Sequence, residues 1–424
     1  MITTTTTRNM VNRTPFYYGW IVLIVATIGI VATAPGQSFT VSLFIDYFIE
    51  EFNMTRTTVS ALYSGGTFLA SLSLTFVGRL IDRYGNRAMT VAIVSAFALT
   101  LVLFSFITGP ISLFFGFLGI RMFGQGALGL VNNTVIVEWF KRLRGRVMSI
   151  VFVTFALFQW AYVPWLQLQL ELYGWRTMAM VLGASVAVVV IPLAWLFMRN
   201  TPEEFGLLPD GENQDNARLE DLDFMVNSWT LKEVLGNITF WVFVLGRIIS
   251  PAWGTGLIFH QVSIFSEQGH DAATAAANYG LIMIVTAIGS LVFGMLVDRL
   301  HARFIMTIQL LALIAAMVLA TMMTNDIFLW FYALAFGIMM SGGSAFDGTV
   351  WVNLFGRGHQ GAIRGFVSTT MVLGTALGPV LFGISLDFAG SYTPVLMIGV
   401  GLAILGVIGA LFSPTPKKRK RKLV

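Results

Sequence analysis

The sequence predicts an all-α polytopic membrane protein, twelve transmembrane helices arranged as two pseudo-symmetric six-helix bundles. Three observations predict it. Apolar runs of membrane-spanning length recur along the chain, basic residues gather on alternate loops, and the second half repeats the first at a fixed offset. Of 424 residues, 56% are hydrophobic and only 11% charged, where soluble domains carry roughly 25% charged residues. A bilayer core needs about 20 consecutive apolar residues per helix. Such runs are predicted at 17–45, 57–80, 88–108, 111–137, 146–170, 176–198, 237–265, 273–297, 303–323, 327–354, 365–387 and 393–413. A membrane β-barrel would instead show short alternating segments.

Loop charge fixes the orientation. With both termini cytoplasmic, that side receives Arg8, Arg13, Arg79, Arg83, Arg87, Lys141, Arg142, Arg144, Arg146, Arg199, Arg218, Lys232, Arg299, Arg303, Arg357, Arg364 and the tail Lys417 to Lys422. Among loop residues only Arg56 and Arg176 then fall outside, beside Asp46, Glu50, Glu51, Glu171, Glu267, Asp271 and Asp326. This is the positive-inside asymmetry. The net charge of +5 is therefore a topology signal and implies no nucleic-acid partner. The start, MITTTTTRNMVNRT, lacks the short apolar region and small-residue cleavage site of a secretory signal. Residues 1–16 read as a cytoplasmic tail, and 414–424, with KKRKRK, as a basic cytoplasmic anchor near anionic lipid. The expected setting is the cytoplasmic membrane, as a multi-pass monomer.

There is no cysteine, which removes disulfides and thiol chemistry. The four histidines never stand at an i, i+4 spacing, so no metal site and no cofactor is expected. No phosphate-cradling GxxxxGK[ST] pattern appears. No nucleophile–base set is visible, which disfavours an enzyme.

GRLIDRYGNR begins at Gly78 and GMLVDRLHAR at Gly294, a shift of 216 residues (294 − 78). The same shift superposes Pro35 on Pro251. EWFKRLRG (138–145) and VNLFGRGHQGAIRG (352–365) occupy matching loops. The repeat divides the chain into bundles over 17–198 and 237–413, with a polar, acidic linker over 199–236. Within it, WTLKEVLG reads as a short interfacial helix.

GRLIDRYGNR resembles the loop motif of the major facilitator superfamily, and RMFGQGALG (121–129) its helix-four motif. The likeness covers nearly the whole chain. It implies parallel repeats of six helices that rock around a midplane cavity. PFYYGWIVL, TPEEFGLLPDG, FHQVSIFSEQGHDAATAA and LFGRGHQGAIRG resemble its monocarboxylate and oxalate/formate branch. That resemblance implies transport of a small organic anion. Carriers of the branch place an Arg in helix eight, where this sequence has Ser290; some have a helix-eleven Lys, absent from VSTTMVLGTALG.

The resemblance also assigns motif roles. Gly78 and Gly294 permit tight helix contact. Asp82 holds a facing helix end in the second half, with Asp298 and Arg299 as the repeat's counterparts, and Arg83 pairs with Glu138. Arg87 closes the first motif. Plain positive-inside charge is the alternative for this set. Arg121 lies about 15 Å into helix four. Bonding to carbonyls of adjacent helices is weighed against a part in proton coupling.

Within FWVFVLGRIISPAW (240–253), Arg247 is the one charge. A charged side chain costs about 3 kcal/mol at the centre of a span. Counted from Asn237, it lies about 15 Å deep, too far to snorkel easily. In span ten the only charge is Asp347, about 12 Å from the cytoplasmic end. In the superfamily the first and fourth helices of each half line the cavity, and spans seven and ten are such a pair. Arg247–Asp347 is the expected intramembrane ion pair, either fixing helix register or switching substrate and proton. The repeat places Val31 and Val131 at the matching positions, so both charges break the symmetry in one half. Further cavity candidates are Gln37 beside Pro35, Asn132, Asn133, Gln159, Tyr162 and His260. For His260, hydrogen-bonded packing is weighed against titration.

The function expected is secondary transport of a small organic anion, a monocarboxylate by branch, coupled to protons by alternating access. A carrier of neutral amphipathic compounds and a transporter-like sensor are the alternatives.

Overall fold

The computed structural model describes residues 11, 14–140, 143–211, 229–297, 299–355 and 360–414. Among them every regular element is helical, as a lipid setting demands, since a helix satisfies its own backbone polar groups. The first span runs further than 17–45 and is broken. Helix α1 covers Gly19–Val31, a 3-10 turn Ala34–Gly36, and α2 Ser38–Phe52. Pro35 is the cause: it lacks an N–H and its ring clashes with the preceding turn. The chain turns extended at Gln37 (φ −87°, ψ 155°) before α2 restarts.

Helix α3 spans Arg56–Tyr84 and α4 Asn86–Phe104. The fourth span is α5, Pro110–Gly119, a π-helical stretch Ile120–Leu128, and α6, Gly129–Trp139. Helix α7, Arg144–Phe197, contains Gly174 at φ 74°, ψ 160°. That left-handed φ favours glycine and turns the chain between the two runs predicted at 146–170 and 176–198. Among the described residues eleven helices are long and apolar enough to cross a membrane. Counting the two arms of α7 separately gives the twelve spans expected.

In the linker, Thr230 Oγ1 accepts the Glu233 N–H and Glu233 Oε2 accepts the Thr230 N–H. This capping box starts α8, Leu231–Leu235. Then follow α9 (Ile238–Phe259), α10 (Gln261–Glu267), α11 (Ala272–Leu296), α12 (Ala302–Ala320), α13 (Asp326–Phe355), α14 (Gln360–Ala389) and α15 (Thr393–Phe412). Asp271 caps α11 through the Thr274 N–H, and its hydrogen bonding to Thr274 holds its carboxyl below the ordinary aspartate range. The residues 1–10, 212–228 and 415–424, with the tail KKRKRK, lie outside the described set, as do Lys141 and Arg142.

Two compact units emerge: residues 1–54 with 65–216, and 55–64 with 217–424. In the first, the run PFYYGW ties α1 to its neighbours. Tyr17 Oη donates to the Trp139 carbonyl at 2.7 Å, and Tyr18 Oη to that of Phe197 at 2.9 Å. Trp139 Nε1 donates to the Asn200 carbonyl at 3.2 Å. Each ring buries an apolar body and keeps its polar tip bonded. Nearby in sequence, the broken turn meets the π-helical stretch almost backbone to backbone. A Cβ on Gly36 would stand 2.5 Å from the Ile120 carbonyl oxygen and 3.1 Å from Gly124 Cα. Lipid supplies no hydrophobic drive between helices, so such small-residue contacts gain dispersion instead.

The second unit takes in the first turns of α3, a boundary that differs from one drawn on the repeat. The Thr57 N–H donates to Asp387 Oδ2 at 2.9 Å, and the Tyr63 ring lies 4.4 Å from that of Phe259. Deeper in this unit, α14 lies on α9. Cβ atoms on Gly374 and Gly378 would stand 2.7 Å from the Ile248 carbonyl oxygen and 2.0 Å from that of Ala252.

Candidate functional site

The feature with most chemical content is built on α9. Arg247, Pro251, Gly254 and Ile258 follow at steps of four, three and four, which puts them on one helix face. That face lines a cavity of about 250 Å³ in the second unit, closed by Gln309 of α12, by Phe336, Met339, Met340 and Gly343 of α13, and by Met371 of α14. Arg247 is 4% exposed, and its Nη2 reaches Met371 Sδ at 3.7 Å. Pro251 lacks the N–H that would bond the Arg247 carbonyl, so the helix ladder is interrupted at the turn that carries the cation.

Three further polar residues line the same cavity, Gln309, Ser250 and Thr255, and the first two are buried. Gln309 is 1% exposed and Ser250 3%. Among the described residues nothing hydrogen-bonds Gln309 Oε1 or Ser250 Oγ. A buried polar atom left in that condition costs about 1–3 kcal/mol. Gly343 keeps room for the head groups: a Cβ there would lie 2.8 Å from Gln309 Nε2 and 2.9 Å from Arg247 Nη1. The two side chains are therefore neighbours around one point. Neither Gln309 nor Ser250 was singled out from the sequence. Gln309 had a usable signal, as the one amide in the apolar run RFIMTIQLLALIAAM; Ser250 had none.

A family model described as Major Facilitator Superfamily matches residues 25–346 and again 252–424. The chain belongs to the major facilitator superfamily. It is thus an integral multi-pass membrane protein of a transporter family. Solved transporter structures share the fold. A bacterial homologue of the human lysosomal transporter Spinster, in an inward-facing unoccupied conformation, superposes with a TM-score of 0.66 at 18% identity, over 93% of this chain and 94% of that one. The nucleoside transporter NupG gives 0.65 at 14% identity, over 93% and 98%. No curated protein matches the sequence significantly.

Superfamily motif residues are placed as follows. Arg121, 5% exposed, donates from Nε to Thr67 Oγ1 at 3.0 Å and from Nη1 to the Gly36 carbonyl at 3.1 Å. It therefore holds a carbonyl at the Pro35 break. Glu138 accepts from Asn86 Nδ2 at 2.6 Å, where Arg83 was the expected partner. The Arg83 guanidinium lies over the Tyr84 ring at 5.4 Å. Gly85, at φ 81°, ends α3 and leaves the buried Asn86 to open α4. Arg87 lies over the Trp195 ring at 4.6 Å, and Arg299 is exposed. Gly78 and Gly294 correct an expectation: a Cβ on either meets nothing within 4 Å. Close helix contacts lie instead at other glycines, Gly36, Gly124, Gly374 and Gly378 among them. The side chain of Asp82, and Asp298 altogether, lie outside the described residues.

The other candidates divide by unit. In the first, Asn132 Nδ2 donates to the Leu128 carbonyl at 2.8 Å, Asn133 Nδ2 to that of Gly129 at 2.9 Å, and Gln159 Nε2 to that of Phe155 at 3.4 Å. All three bond one turn back on their own helix. Gln37 Nε2 donates to Thr33 Oγ1 at 3.0 Å, and Tyr162 Oη lies 3.4 Å from Thr40 Oγ1. In the second unit His260 is fully buried between α9 and α10. Its Nε2 stands 2.8 Å from the Pro379 carbonyl, so that nitrogen carries the proton. Its Nδ1 faces Tyr392 Oη at 3.2 Å. Asp347 belongs to α13, four residues after Gly343. Its side chain, and with it the expected Arg247–Asp347 pair, lies outside the described residues.

Proposed function

We propose that the chain is a secondary active transporter of a small organic anion, with Arg247 as the anion-binding cation. One observation carries this: a buried guanidinium lines a membrane-depth cavity whose wall also includes Gln309, Ser250 and Thr255 and is apolar for the rest. Intramembrane charge at a cavity marks a substrate or ion path by default. A planar guanidinium presents paired N–H donors that match a carboxylate. The branch likeness in the sequence favours a monocarboxylate, and alternating access is the mode of the family. Counterflow of radiolabelled monocarboxylates in proteoliposomes tests the reading. Accumulation above empty liposomes is expected, and none for any acid in a panel of varied chain length would overturn it.

Gly343→Ala probes the site with little cost to the fold, because its new methyl meets only the ends of two flexible side chains. It should displace Arg247 and Gln309 and weaken carboxylate binding about tenfold, the scale of one charge-assisted hydrogen bond. Ligand-dependent thermal stabilisation reads this out.

Coupling to protons is assigned to Asp347. In that scheme protonation of Asp347 leaves Arg247 to the anion. Asp347→Asn mimics the protonated form, so its carboxylate affinity should lose its dependence on pH. A pH profile parallel to wild type would remove Asp347 from coupling.

The methionine and phenylalanine wall favours one second reading, carriage of neutral amphipathic compounds. In that case such compounds stabilise the purified protein and carboxylates do not.

A further inference from the structure

A second, larger cavity lies in the first unit, apart from Arg247. It measures about 510 Å³ and runs between the end of α4, the turn after it, and α5 with the start of the π-helical stretch. Three of its lining side chains, Leu103, Phe106 and Phe115, are more than half exposed. The cleft is therefore continuous with the surface that these spans turn to lipid. Gly116 and Gly119 let α5 approach α4 closely here: a Cβ on them would stand 2.7 Å from Ile107 Cδ1 and 2.5 Å from Thr100 Cγ2. The turn at its end is pinned. Arg176 donates to the carbonyls of Ser105 at 2.6 Å and Ile107 at 2.9 Å, and pairs with Glu51.

Polarity and length name the occupant. The two hydroxyls of the lining are already bonded to their own backbone, Thr100 Oγ1 to the Ala96 carbonyl at 2.8 Å and Ser112 Oγ to that of Gly109 at 2.9 Å. The remaining lining side chains are apolar, so the fitting occupant is hydrocarbon. From Ser112 to Phe123 the cleft follows the helix for about 15 Å, half of the roughly 30 Å hydrocarbon core. That is the reach of one leaflet. A helix from a second copy would need the full core. Apolar cavities stay dry, and an empty one forfeits the contacts of its lining.

We infer that this cleft is a lipid site, which holds one acyl chain of a phospholipid from the leaflet that meets the 105–109 turn. The inference does not depend on the reading of Arg247. The chain leaves hydrocarbon for hydrocarbon, so its gain is not the hydrophobic effect. The gain is contact with fixed walls in place of fluid neighbours. Met122 and Phe123 line the cleft directly after Arg121, which bonds the Gly36 carbonyl. The seated chain backs that turn and stabilises the first unit.

The test uses the full-length protein in a steroid-based detergent, which brings no straight chain of its own. Palmitoyl-oleoyl phosphatidylglycerol is added, the excess is washed away, and retained lipid is counted by native mass spectrometry. Wild type should keep one phospholipid per chain and melt several degrees higher than after delipidation, since a bound ligand stabilises the folded state. Phosphatidylcholine with the same chains should be kept equally, and dioctanoyl phosphatidylglycerol should be lost. Phe115→Ala removes one wall at little cost to the fold, because its ring is 61% exposed, and Met122→Trp fills the cleft. Both should lose the lipid and the thermal gain. Ile111→Ala, 77% exposed and outside the cleft, should keep them. If Met122→Trp gives no folded protein, Phe115→Ala decides alone. No lipid on wild type, or equal retention by Phe115→Ala, overturns the inference. So does retention of phosphatidylglycerol alone, which would mean headgroup recognition, or of the dioctanoyl lipid as firmly as the longer one. A dimer that Phe115→Ala dissolves would give the cleft to a second copy and overturn it too.

Discussion

Arg247→Ala, made together with Asp347→Asn so that no carboxylate is left buried alone, should abolish carboxylate-induced stabilisation and carboxylate counterflow while leaving the ligand-free protein about as stable as wild type. The split follows from where the guanidinium sits. Replacing both members of a buried charge pair by uncharged groups is often close to neutral for folding, whereas removing one strands the other. Binding is different. A carboxylate drawn into the same cavity without the cation leaves a buried charge unpaired, a loss of 2–5 kcal/mol in comparable pairs, or about 30-fold to several thousand-fold in affinity. Arg247→Lys should fall between, because an ammonium keeps the charge and loses the planar fork. Thermal shift with and without ligand separates the two effects on one sample. An Ala variant that still binds carboxylates would make Arg247 a helix-register residue and move the substrate elsewhere. An Ala variant that is strongly destabilised without ligand would say the same of its main role.

Gly36→Val is expected to have the opposite signature, with folding lost before function can be read. Its first new atom would stand 2.5 Å from the Ile120 carbonyl oxygen, and backbone cannot swing aside as a side chain can. Relieving the clash means separating the broken turn from the π-helical stretch. That also stretches the bond from Arg121 Nη1 to the Gly36 carbonyl. Overpacking costs about 1–3 kcal/mol and the strained hydrogen bond to a charged donor about 1.5–3 kcal/mol. A lower melting temperature and a smaller monodisperse peak in detergent should follow. Gly78→Ala is the control, with open space where its Cβ would lie. A Gly36→Val protein as stable as Gly78→Ala would mean that this contact does not hold the first unit together.

The spans were legible because lipid imposes one rule on every residue of a helix, and a run of apolar letters records it directly. Thr393–Phe412 and Ala272–Leu296 fall within a residue or so of the runs at 393–413 and 273–297. Pro35 announced a break, since a missing N–H is a property of the residue itself. The extension of that span to Phe52 was hidden, because the charged letters of IDYFIEEF read as loop while the helix continues through them. The π-helical stretch at 120–128 left no mark either, since a widened turn depends on what packs against it. At the site, Arg247 stood out by charge alone. Gln309 did not, although it is buried deeper, because a single amide in an apolar span is ordinary helix glue until its partners are known. Glu138 shows the limit of motif reading: a loop pattern names residues, while the fold sets Asn86 Nδ2 against this carboxylate.

Where Gly374 and Gly378 lie on the carbonyls of Ile248 and Ala252, no side chains interlock. Most helix contacts resist sliding because knobs sit in holes and rotamers must change before anything moves. At these two points backbone meets backbone, while one turn on the Phe382 ring of α14 seats against Gly256 of α9. Ile248 is the residue next to Arg247, and the ladder of α9 is already open at Pro251. A displacement of α14 at this contact is therefore passed directly to the turn that carries the guanidinium.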